Sequence, residues 1–217
     1  MKVTGKTTDA SETSVDIDLF EGKKLPPRVR ARISDEVGNF LVEQTLIAIE
    51  QEKSPVSGEG KFKALSKDYA KLKKREVGNS RPNLEVDGNM KDEIDFKPTK
   101  TGVTLGVFGD RAPAADGHNN LSGKSSLPTR RFLPDQGQNY KKDIKLEVER
   151  IKADIIAEET TFKKSVFNNV DTRSALYDKL GSLLGLTSRT EINLAVIRTQ
   201  ELEDILKEAG VYDLLKF

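Results

Sequence analysis

His118 is the only histidine in the chain, and its surroundings hold the first residues that could do chemistry. Asp116 precedes it, and Ser122, Ser125 and Ser126 follow. An imidazole acts as a general base when a carboxylate orients it and a hydroxyl lies within reach. All three residue types are present, yet no nucleophile elbow accompanies them. The stretch DRAPAADGHNNLSGKSSL (110–127) is rich in Gly, Ser and Asn, as loops are. The residues favour a polar loop histidine over a catalytic one.

Two basic clusters could bind anions. Lys67, Lys71 and Arg75 are spaced by four and share one face of a helix. With Lys61, Lys63, Lys73 and Lys74 they form the most basic window of the chain. Such a face contacts phosphates or an acidic partner, or is simply solvated. Phe62 and Tyr69 alone make no stacking platform for bases. The second cluster is Arg130-Arg131, inside Leu127-Pro128-Thr129-Arg130-Arg131-Phe132-Leu133-Pro134. It could hold an anion. Alternatively Arg130 pairs with a neighbouring acid and locks the turn, because a guanidinium makes forked bonds to carboxylates. The structural role is favoured, with Phe132 and Leu133 as the buried pin and Pro128 and Pro134 bracing the backbone.

Other sites are excluded by spacing. Asp110, Asp116 and Asp135 do not follow a calcium-loop pattern. Gly58-Glu59-Gly60-Lys61 lacks the glycine spacing and Lys-Ser/Thr pair of a phosphate-binding loop. The absence of cysteine rules out disulfides and thiolate metal sites. The chain is expected to need no cofactor and to have no catalytic residues. Its net charge of +1, from 36 basic and 35 acidic residues, creates no global field, so any charge effect is local. No secretory signal opens the sequence, and no run approaches the roughly 20 apolar residues that span a bilayer. A soluble protein made in the cytosol is expected.

The elements that would position these residues can be read from periodicity. With 35% hydrophobic and 33% charged residues among 217, modest cores and much exposed surface are expected. Residues 1–14 read as a flexible arm. Val15-Asp16-Ile17-Asp18-Leu19 alternates as a half-buried strand does. After Pro26-Pro27, the residues Val29, Ile33, Val37, Phe40, Leu41 and Ala48 line one face of a helix that ends near 53, before Pro55. Ser66 is a helix N-cap, Leu65, Tyr69 and Leu72 line the short helix after it, and Gly78 ends it. Residues 93–98 and 103–108 predict a hairpin, with Gly106 and Gly109 marking a bulge or close packing. Ile144, Val148, Ile151 and Ile155 form a narrow seam on a helix over 138–159, suited to the helix at 28–53 as partner. Residues 172–185 and 189–209 predict two more helices. The expected class is α+β: a small antiparallel sheet with two long helices packed on it (15–159), plus a helical C-terminal extension (160–217).

The order of these motifs resembles the tailed-phage virion morphogenesis, or tail completion, family. Ala64-Leu65-Ser66-Lys67-Asp68-Tyr69-Ala70-Lys71-Leu72-Lys73 is similar to its "P-L-S-x-x-Y-A-x-x-K" signature. Val86–Ile94 stands where the family has "T-G-x-L-x-x-S-I", with Met90 in place of leucine. Gly102-Val103-Thr104-Leu105-Gly106-Val107 resembles its strand pair. Ala114–Asn120 resembles "Y-A-x-x-H-x-x-G" without the tyrosine. Pro128-Thr129-Arg130-Arg131-Phe132-Leu133 resembles "P-x-R-P-F-L", with Arg131 replacing proline. The five landmarks cover 28 to about 158. The resemblance implies a virion structural protein at the head–tail junction, acting as a ring of six or twelve identical copies against other neck, portal-adaptor or tail proteins, with packaged DNA in the channel. It offers Arg130, Arg131, Phe132, Leu133, Lys67, Lys71 and Arg75 as subunit or partner contacts. A nucleic-acid-binding assembly factor using the basic helix at 61–75 is the alternative.

Overall fold

The computed structural model describes residues 1–84 and 89–168. The chain divides into two units, Met1–Ile155 and Ile156–Phe217. Apart from the end of one helix, the second lies outside the described residues, and so do the helices expected at 172–185 and 189–209.

Four antiparallel strands of the first unit form one sheet: β1 (Lys2–Thr8), β2 (Glu12–Asp18), β3 (Ile94–Pro98) and β4 (Gly102–Phe108), in the order β1-β2-β4-β3. The chain is α+β as expected. Register sets which residues share a face. Val15 stands opposite Leu105, Ile17 opposite Val103 and Thr13 opposite Val107, while Ile94 and Phe96 extend the row onto β3. Val15, Ile17, Val103, Leu105 and Val107 are all buried. The other face carries Asp16, Thr104, Asp95 and Lys97, the polar alternation of an antiparallel sheet with one face on the core.

The N-terminal arm expected over 1–14 is instead β1 and the start of β2. Lys2–Thr8 pairs with β2, with Lys6 opposite Val15, and buries Val3. Only Val3 gives the segment an apolar signal, and threonines supply the remaining strand preference. Asp9 makes the turn: its Oδ1 accepts the backbone N–H groups of Ser11 at 2.8 Å and Glu12 at 2.7 Å.

Helix α1 (Pro27–Glu50) packs on β3 and β4. Val29, Ile33, Val37 and Leu41 face the core as the spacing predicts, whereas Phe40 and Ala48 are half-buried. Ser34 Oγ donates to Gly102 O at 3.0 Å. Gly38 lies directly over the Phe96 ring, where a Cβ would collide with it. Gly106 serves the same purpose in the sheet, since a Cβ there would strike Thr13 O and Ser14; the expected close packing is real.

Helices α2 (Lys67–Val77) and α3 (Asn89–Asp92) come next. Ser66 caps α2, accepting from Tyr69 N at 3.3 Å, and Gly78 ends it in the left-handed region. Residues 110–127, expected as loop, contain α4 (Ala112–Asn119). Ala112, Ala115 and Asn119 are its buried residues, at i, i+3 and i+7. An eight-residue helix whose inward face is alanine and asparagine leaves little apolar period to detect. Thr13 Oγ1 donates to Ala112 O at 2.7 Å, tying α4 to β2. Helix α5 (Lys142–Asn168) buries Ile144, Val148 and Ile155 of the expected seam and half-buries Ile151.

Candidate functional site

The doubly basic turn is built as a buried clasp. Phe132 and Leu133 are fully buried. Their backbone N–H groups both donate to Asn119 Oδ1, each at 2.8 Å, and Asn119 Nδ2 donates to Ala115 O at 2.9 Å. One amide at the end of α4 thus satisfies two buried donors of the turn. This matches the pin expected of Phe132-Leu133.

Arg130 locks the turn, but not through an acid. Its Nε donates to Lys63 O at 3.0 Å and its Nη2 to Ala64 O at 3.4 Å, stitching the turn to the loop before α2. Arg131 also points inward: Nε donates to Asn119 O at 3.2 Å, Nη1 to Gln138 Oε1 at 2.8 Å, and Glu59 Oε1 lies 3.9 Å from Nη1. Of the seven contact residues suggested by the sequence, Arg130, Arg131, Phe132 and Leu133 are therefore committed within the chain. Burial takes the two apolar side chains off the surface, and internal acceptors occupy the guanidinium of Arg131. Within the chain they serve as a clasp.

Lys67, Lys71 and Arg75 remain exposed along α2. The helix is rotated from its expected orientation. Tyr69 and Leu72, expected to face inward, are 39% and 38% exposed, while Lys73 is 2% exposed. Ala70 and Val77 are half-buried, so the inward face runs through Ala70, Lys73 and Val77. Lys73 Nζ donates to Arg81 O and Asn83 Oδ1, each at 2.6 Å. Sequence reasoning missed this lysine. The signal was the i, i+3, i+7 spacing of Ala70, Lys73 and Val77, which Tyr69 and Leu72 outweighed.

His118 lies on α4 rather than in a loop, and its Nδ1 is buried without a hydrogen-bond partner among the described residues. Burial, then the positive charges of Arg130 and Lys73, lower its pKa from 6.5 to about 4. Asp116 does not orient it. That carboxylate accepts from Ser122 N at 2.9 Å and Ser122 Oγ at 2.5 Å, while Ser125 Oγ donates to Gly117 O at 2.7 Å. Asp116, Ser122 and Ser125 are thus spent on closing the loop after α4.

Among the described residues, no group of three or more His, Asp or Glu side chains is placed to hold a metal ion. Among them too, no helix is long and apolar enough to cross a membrane. No family model, curated protein or solved structure matches this chain.

Proposed function

We propose that this chain is a structural virion protein of the phage neck or tail-completion type, forming an oligomeric ring at the head–tail junction. In this role it has no catalytic residue and no cofactor. Its partners are further copies of itself and the neighbouring neck, portal-adaptor or tail proteins. The observation that carries the reading is the outward face of α2. The helix bearing the family-like Leu65–Lys73 signature anchors itself through Lys73 and turns Tyr69 and Leu72 outward beside Lys67, Lys71 and Arg75. Partly exposed aromatic and aliphatic side chains set among cations suit a protein–protein contact. Mass photometry of the protein, alone and mixed with portal and tail components, tests the reading. A closed ring of six or twelve copies, or rings formed only with partners, is expected; a monomer in every mixture rejects it.

A second reading has its own support in the same helix. Lys67, Lys71 and Arg75 are all exposed on one side, as a phosphate-backbone contact requires. A nucleic-acid-binding assembly factor would lose affinity with salt, with a log–log slope of about −2.7 for three phosphate contacts on duplex DNA. Replacing the three by glutamine should remove that slope. Unchanged binding rules this surface out.

A further inference from the structure

Helix α1 carries two unlike surfaces on opposite flanks. The first is a groove of about 450 Å³ between the start of the helix and the β3–β4 turn. Pro27, Ala31 and Pro98 give it apolar walls, and no carboxylate among the described residues lines it. Its two hydroxyls are already used. Ser34 Oγ donates to Gly102 O at 3.0 Å, and Thr99 Oγ1 accepts from Gly102 N at 3.0 Å. The remaining polar groups are the side chains of Arg30 and Lys100, and neither makes a hydrogen bond or ion pair among the described residues. The groove therefore offers apolar contact rimmed by two cations without a counter-charge.

The second surface lies on the later half of α1. Ile47 is 39% exposed, with the half-buried Leu46 beside it. Glu43 and Glu50 stand at i−4 and i+3 from Ile47 and so share its face. Glu50 is held by Lys91, whereas Glu43 is exposed and its carboxylate has no partner among the described residues. The other large apolar side chains exposed among the described residues are set among cations. Tyr69 and Leu72 share α2 with Lys67, Lys71 and Arg75, Leu127 lies in a stretch (122–134) that has no acid, and Leu146 stands between Lys142 and Arg150. Ile47 alone pairs an exposed apolar side chain with flanking carboxylates.

We infer that these two surfaces join successive copies of the chain. Ile47 of one copy enters the groove of the next, between Pro27, Ala31 and Pro98, and Glu43 faces Arg30 and Lys100. Charge complementarity selects the occupant: the groove is cationic, and the chain carries its own acidic apolar knob. Helix geometry selects the kind of contact. Ala31 and Ile47 are about 160° apart around α1 and about 24 Å apart along it. On opposite flanks they cannot both face one neighbour, so each copy that fills a groove leaves its own groove open for another. A heterologous contact of this kind propagates from copy to copy until it closes. The inference rests on the ring reading for that closure, and it names the contact between copies which a ring requires.

The chain has no cysteine, so an introduced pair reports a contact without background. Full-length Ala31→Cys and Ile47→Cys proteins are treated with a short bismaleimide, each alone and mixed, with and without portal and tail components. A linked pair of chains several-fold more abundant in the mixture than in either variant alone is expected. Equal linking of Ala31→Cys to Leu127→Cys or Leu146→Cys overturns the choice of Ile47. Lys100→Glu added to the Ala31→Cys copy should lower the yield several-fold, and Glu43→Lys added to the Ile47→Cys copy should restore it. An unchanged yield, or a loss that Glu43→Lys leaves unrepaired, overturns the pairing. Rings seen by mass photometry without the 31–47 link overturn this contact and leave the ring reading standing. The link in a protein that forms only open chains supports the contact and rejects the ring. No association in any mixture overturns both.

Discussion

The Asn119 side chain accepts the backbone N–H of Phe132 through Oδ1 at 2.8 Å, and Leu133 N–H shares the same oxygen. A single amide on α4 therefore holds the clasp that the whole 128–134 turn depends on. Replacing Asn119 by alanine leaves two buried donors unpaired, at about 1–3 kcal/mol each. Urea unfolding should show a loss of about 2–6 kcal/mol with an unchanged m-value. A loss below about 1 kcal/mol would mean that water or a shifted backbone replaces the amide.

Gly38→Ala should behave opposite to helix propensity. Alanine in place of glycine inside a helix normally gains about 1 kcal/mol. Here the new methyl meets the Phe96 ring. A loss of about 1–3 kcal/mol is expected from overpacking. Combining it with Phe96→Leu should recover part of that loss, and a double-mutant cycle on thermal unfolding measures the coupling.

The lowered pKa of His118 makes stability depend on pH. In the unfolded chain the imidazole protonates near 6.5, whereas in the folded chain it resists until about 4. Between those values the unfolded state binds more protons, so stability falls as pH drops from about 6.5 to about 4 and this contribution is flat outside that window. At 1.36 kcal/mol per unit the full loss is about 3 kcal/mol. His118→Gln should flatten the slope in unfolding curves taken between pH 5 and 7. The carboxylates held low by hydrogen bonds or ion pairs, such as Glu50 beside Lys91 and Asp135 beside Lys6, add their own losses only further into acid.

Tyr140→Phe should be neutral or mildly stabilising. The tyrosine is 2% exposed, and its hydroxyl has no well-formed hydrogen bond, although it lies close to Thr45. Thr45 Oγ1 already donates to Leu41 O at 2.8 Å. Burial drives the phenol pKa upward. Removing an unpaired buried hydroxyl removes its desolvation cost. Chemical denaturation of the pair of proteins decides it; a loss above about 1 kcal/mol would show that the hydroxyl bonds to Thr45 after all.

The parts of the fold that sequence made legible are those with a strong period. The hairpin at 94–108, α1 and the buried row of α5 announce themselves through alternation or through four-residue spacing. β1 and α4 do not, because their inward residues are Val3 in the one and alanine and asparagine in the other. The clasp was legible in Phe132-Leu133 and its two prolines. Its partner Asn119 was not, since nothing local marks an amide that bonds thirteen residues ahead. α2 misled for a physical reason: Tyr69 and Leu72 give the larger apolar signal, while a lysine satisfied by Arg81 O and Asn83 is the residue that goes inside.

The strand order β1-β2-β4-β3 also governs how the chain reaches this state. Each hairpin can zip locally, through the Asp9 turn or through Thr99–Gly102. The central seam, where Asp18 pairs with Gly102, must wait until α1, α2 and everything between them has been drawn into a single loop. Long-range pairing of this kind is slow because chain entropy is lost before the contacts that compensate for it are made. Substitutions along that seam, at Val15 or Leu105 for example, are therefore expected to change the rate of folding as well as the stability.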